Sequence, residues 1–146
     1  RHFNQLFLFK KDSKKSIFLS KICQYIGILA GVMFAGVGIF PHDFHFGAHI
    51  FFANGAFTVL LGLSAIHTLS FIFSSHIEAK YAFGYIIFCI LLSIYLYIIF
   101  LGPEIGPARQ FSENDLILQV VAQKMIVLSF IISMLYQVSG IKRALR

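Results

Sequence analysis

Read for periodicity, the chain is four long apolar runs separated by short polar interruptions. The runs are Ile22 to Phe40, Ile50 to Ser74, Tyr81 to Leu101 and Leu116 to Ser139. Each reaches the roughly 20 mostly apolar residues that a helix rising about 1.5 Å per residue needs to cross ~30 Å of hydrocarbon. A transmembrane barrel would show segments of about ten residues alternating apolar and polar, and "FGYIIFCILLSIYLYIIFL" does not alternate. The pattern predicts an all-α polytopic transmembrane helix bundle, one domain over residues 1–146. Within the first run Gly27, Gly31 and Ala35 recur at every fourth position, with Gly38 three further on. Small residues at that spacing let helix backbones approach closely, so this stripe is the expected packing seam.

The polar interruptions carry the candidate chemistry. "GIFPHDFHFGAHIFFANGAF", residues 38–57, places Pro41, Asp43 and the histidines His42, His45 and His49 between the first two runs. A helix beginning near Phe44 would bring His45 and His49 onto one face. Imidazoles so spaced bind zinc when a third ligand and an outer shell complete the site. The glutamate base of an H-E-x-x-H hydrolase has no counterpart among the intervening Phe46, Gly47 and Ala48. Three readings stand side by side: a solvated turn in which Asp43 caps the following helix, a polar binding site, and a metal site using His42, His45 and His49. No other cofactor is expected.

Polar groups inside apolar runs are costly and mark function or helix–helix contacts. Asn54 and His67 lie in the second run, and Gln119, Gln123 and Lys124 in the fourth. Lys124 would sit about 12 Å deep by helical rise, where it must snorkel or pair. Asp43, His49, Glu104, Gln123 and Lys124 all fall toward one end of such a bundle, so they are expected to line one polar pocket, with the stiff "GPEIGPARQ" loop over it.

Composition agrees with the pattern. Of 146 residues 58% are hydrophobic and 12% charged, with a mean hydropathy of +0.83, against about 45–50% and about 25% in soluble domains. The net charge of +6 is unevenly spread. Arg1, Lys10, Lys11, Lys14, Lys15, Lys21, Lys80, Lys142, Arg143 and Arg146 fall on one side of the four spans, and Asp43, Glu104, Arg109, Glu113 and Asp115 on the other. The positive-inside tendency places both termini in the cytoplasm and the His42–His49 turn outside. The cations suit anionic lipid, and without a folded basic domain nucleic acid is not an expected partner. Cys23 and Cys89 lie in different spans and read as small apolar residues. The chain opens without Met on "RHFNQLFLFKKDSKK", an apolar tail running into lysines, and is expected to be the C-terminal part of a longer protein.

"GVMFAGVGIFPHD" followed by "HIFFANGAF" resembles the G-x-G-x-F-P-x-D … H-x-x-F-A-x-x-x-F pattern of the six-span membrane family named domain of unknown function 998 and of the related Frag1/DRAM/Sfk1 group. "VVAQKMIVLSF" is similar to the Gln-Arg opening of that family's last span, with Lys124 standing at the Arg position. His42 and His45 are additions to the pattern. The resemblance implies spans three to six of a six-helix bundle with a pocket near Pro41, Asp43, His49, Gln123 and Lys124, and lipid-associated rather than enzymatic work. The expected function is a non-catalytic membrane protein, either lipid-associated or an accessory subunit beside other transmembrane chains or copies of itself. The alternatives are a metal-dependent lipid-modifying hydrolase and a transporter element.

Overall fold

The computed structural model describes residues 12–101 and 113–144. Its elements are α1 (Lys14–Ile39), α2 (Phe46–Ile72), a 3-10 turn (Ala79–Ala82), α3 (Phe83–Leu101) and α4 (Glu113–Ala144). The described residues are all-helical apart from the connections, and four helices are long and apolar enough to cross a membrane. The Glu104 expectation and the "GPEIGPARQ" loop lie outside the described residues.

α1, α2 and α4 begin ahead of their apolar runs, whereas α3 begins two residues inside its own; at α1 local hydrogen bonding, not hydropathy, sets the ends. α1 starts at Lys14 rather than Ile22: the Ser13 hydroxyl accepts from Ser16 N–H at 3.1 Å and caps the first turn. It stops where Phe40 N–H makes the last helical bond, to Gly36 C=O at 3.0 Å, ahead of Pro41. The Pro41 carbonyl then accepts from Phe44 N–H and His45 N–H, at 3.2 and 2.9 Å, and closes the turn. His45 is the N-cap residue of α2 and no side chain caps that end. This corrects the expectation for Asp43, whose side chain is 90% exposed and lies 3.6 Å from His42 Nδ1.

Each helix packs on its neighbour in the chain: α1 on α2, α2 on α3, α3 on α4. No close backbone approach joins α4 to α1 among the described residues. The core between them holds Cys23, Phe57, Leu63, Phe88, Leu92 and Ile126, with a second cluster of Phe71, Ile77, Tyr81 and Ile141 around the 3-10 turn. Cys23 is buried and Cys89 half-buried, and neither is in a disulfide.

The packing seam differs from the expected one. Gly31, Ala35 and Gly38 are exposed, and open space surrounds Gly31 and Gly38. The face of α1 that meets α2 is Ser16, Ser20, Cys23, Ala30 and Gly36, with Gly27 half-buried beside it. The cause is geometric. At 3.6 residues per turn, steps of four advance about 40° around a helix and leave the contact line. The observed row closes its spacing toward three and winds the other way, following α2. Gly36 is where the approach is tightest: a Cβ there would overlap the Phe52 ring. Gly140 of α4 meets the Tyr81 ring in the same manner.

Candidate functional site

Two clusters of polar side chains sit inside the apolar bundle, at opposite ends of α2. At the end where α1 begins, Asp12 is 7% exposed. Its Oδ1 accepts from Ser13 N–H at 2.7 Å, Ser75 N–H at 2.7 Å and the Ser75 hydroxyl at 2.9 Å. Its Oδ2 accepts from the Ser74 hydroxyl at 2.7 Å and the Ser16 hydroxyl at 3.2 Å. Burial pushes this carboxyl up, but the bonds from Ser75, Ser74 and Ser13 outweigh it and hold it below its ordinary range. One turn deeper the Ser20 and Ser70 hydroxyls pair at 2.7 Å, both within hydrogen-bond reach of Ser16 C=O, so that one hydroxyl donates to the carbonyl and the other to its partner hydroxyl. The Asp12 carboxylate and these hydroxyls all have partners, so the cluster is a clasp between the start of α1 and the end of α2. Sequence reading passed over Asp12. Its signal was "DSKKS", a capping sequence before an apolar run, matched by the serine pair Ser74-Ser75.

The other end is built differently. Phe40 stacks on Phe52 with centroids 5.3 Å apart, against the Gly36 contact that fixes Phe52. The Phe40 carbonyl accepts from His49 Nδ1–H at 2.8 Å. A carbonyl only accepts, so the proton is on Nδ1 and a neutral His49 presents Nε2 as an acceptor. The His42 ring meets the His49 ring edge-on at 5.5 Å. Together His42, His49, Asn54, Tyr95, Gln119 and Gln123 line a cavity of about 60 Å³, closed on its apolar side by Phe46, Ile50, Ala53 and Phe57. Tyr95 is 6% exposed and packs on Phe57 at 5.3 Å. Its hydroxyl faces the Gln123 carboxamide but does not reach hydrogen-bond geometry with any group among the described residues.

The cavity adjoins a larger, mostly apolar groove of about 420 Å³, and the two share Ala53, Phe57 and Gln123 as lining residues. The groove runs between α1 and α4 over α2, with Phe34 and Val37 on one wall and Lys124, Val127, Leu128 and Ile131 on the other. A further hollow of about 190 Å³ continues it past Phe34 to Gly27, Ala30, Leu63 and Met134.

Of the expected pocket residues, the structure brings His49 and Gln123 to the cavity and places Lys124 on the adjoining groove. Asp43 stands outside, exposed beside His42. Of the candidate metal ligands, His42 and His49 are neighbours, whereas the His45 ring packs edge-on against Phe40 at 5.8 Å. No three of His, Cys, Asp and Glu converge among the described residues. His67 packs against Phe71 and Tyr85 at 5.0 and 5.4 Å, far along α2 from the cavity. Tyr95 is the cavity residue that sequence reading did not single out; in an apolar run its hydroxyl resembled that of any interfacial tyrosine. No protein-family model, curated protein or solved structure matches the chain.

Proposed function

We propose that the chain is a non-catalytic, multi-pass membrane protein that works as a lipid-associated or accessory subunit, with the His49–Gln123 cavity as its contact site. Both termini face the cytoplasm and the cavity opens at the outer surface; the grouping of cations at the α1 start, the Lys80 turn and the α4 end supports that orientation. The observation that carries the reading is the buried Tyr95 hydroxyl, which meets no hydrogen-bond partner among the described residues, in a cavity lined by polar side chains. A group desolvated in this way at a cost of about 1–3 kcal/mol is kept where something else completes it. Broad apolar faces on α3 and α4, such as Ile90, Ile94, Leu128 and Ile132, supply surface for lipid or neighbouring helices. The membership suggested by the Phe-Pro and Gln-Lys motifs rests on those motifs alone.

Extraction in mild detergent tests the reading. The chain is expected to elute as a stoichiometric oligomer or complex, or with retained lipid; a monomer free of both overturns it. One observation favours the metal-dependent alternative: His49 is anchored through Nδ1 to a backbone carbonyl beside a second imidazole, the orientation that a metal-binding histidine takes. Stoichiometric zinc in purified protein, lost in His49→Ala, would move the function there.

A further inference from the structure

The cavity and the groove have complementary chemistries and share a wall. At about 60 Å³ the cavity has room for only a few water-sized atoms, at roughly 10–15 Å³ each. That is the size of a small headgroup, not of a whole ligand. Its lining offers hydrogen-bonding groups of both kinds: carboxamides of Asn54, Gln119 and Gln123, the Tyr95 hydroxyl, and the His49 acceptor. The groove has the opposite character, with Lys124 as its cation and no acidic partner for that lysine among the described residues. From Lys124 to Met134 the groove and its continuation run about 15 Å along α4, half of the ~30 Å hydrocarbon thickness and so one leaflet deep.

We propose that this composite site seats one anionic phospholipid with a hydroxylated headgroup. The headgroup hydroxyls enter the cavity and complete the Tyr95 hydroxyl, the phosphate lies at Lys124 and Gln123, and one acyl chain occupies the gap between α1 and α4. This rests on the non-catalytic, lipid-contacting reading above and names its ligand. Charge decides the headgroup class. A quaternary ammonium offers no hydrogen bond and would leave the three carboxamides and the tyrosine unsatisfied, and no carboxylate lines the cavity among the described residues. A lone phosphate would not use the groove. A second protein helix in place of the chain would match the groove but not the small polar cavity beside it.

Native mass spectrometry of the purified chain in mild detergent, with phosphatidylglycerol and phosphatidylcholine of identical acyl chains as probes, tests the proposal. One phosphatidylglycerol per chain is expected, held about tenfold more tightly than phosphatidylcholine, because the charge-assisted contact and the headgroup hydroxyls both contribute. Lys124→Met should narrow the preference to the part due to the headgroup hydroxyls, and Lys124→Arg should restore it. Leu128→Trp, which fills the groove, should remove the retained lipid while helicity and elution volume stay unchanged. Equal binding of both lipids, or phosphatidylglycerol binding indifferent to Lys124→Met and Leu128→Trp, overturns the proposal. If that happens while the chain still elutes with a stoichiometric partner or as an oligomer, only the lipid seat falls. A monomer free of lipid and partner removes the broader reading as well.

Discussion

The two ends of α2 bury similar kinds of residue and put them to different use. At the Asp12 end a carboxylate accepts five hydrogen bonds from Ser13, Ser16, Ser74 and Ser75. At the His49 end the His49 ring donates to the Phe40 carbonyl, and the Tyr95 hydroxyl meets no partner in hydrogen-bond geometry among the described residues. A saturated polar cluster holds backbone in place and has no capacity left for a ligand. An unsaturated one beside a cavity stores that capacity. Burial of polar groups in a membrane protein therefore does not by itself indicate a site; an unmet hydrogen bond beside a polar cavity does.

The contrast can be broken most decisively at Asp12. Asp12→Ala should destabilise the chain by about 3 kcal/mol, since it strips a buried acceptor from several donors at once, and thermal unfolding in detergent would show it. A loss below about 1 kcal/mol would mean that the clasp is not structural. Next comes Gly36, which holds Phe52 by contact and through that ring Phe40, whose carbonyl in turn accepts from His49. Gly36→Leu should cost about 2 kcal/mol by overpacking, whereas Gly31→Leu, on the open face, should fall within about 0.5 kcal/mol. Equal effects at the two glycines would return the seam to the Gly31 stripe.

The pH dependence sharpens the same comparison. The Asp12 carboxyl is held below its ordinary range, with the hydrogen bonds from Ser75, Ser74 and Ser13 overcoming burial. Its contribution is therefore fully present above the unfolded value near pH 4 and is lost as pH falls through the lower native value. Melting temperatures should hold steady from pH 7 down to about 5 and fall below about 4; Asp12→Asn should lose most of that slope. The smallest expected effect is at Tyr95. Removing an unpartnered hydroxyl in Tyr95→Phe should leave stability within about 0.5 kcal/mol of the parent or raise it, and a loss beyond ~1.5 kcal/mol would show a bonded hydroxyl and erase the difference between the ends.

Helix number and class were legible because an apolar run of span length has few alternative structures. The gathering of His49, Gln123 and Lys124 at one end followed from the same reading, since antiparallel connections return His49 and Gln123 to a common level. What escaped was angular. Gly31 and Gly36 differ by five positions, which places them on well-separated faces of α1, and no hydropathy pattern says which face α2 will meet. Asp12 escaped for a different reason: its partners Ser74 and Ser75 lie across the length of two helices, and a pairing at that separation is created by the fold itself.

The row-like packing, in which the first and last helices make no close backbone approach among the described residues, has one more result. A closed ring of helices supplies all of its own lateral contacts; an open one borrows some of them from the surrounding medium. Between Phe34 and Leu128 that medium is part of the structure, so the chain's robustness should depend on how well the surrounding amphiphile fits the opening, and a bulky, rigid detergent should weaken it where a flexible tail does not.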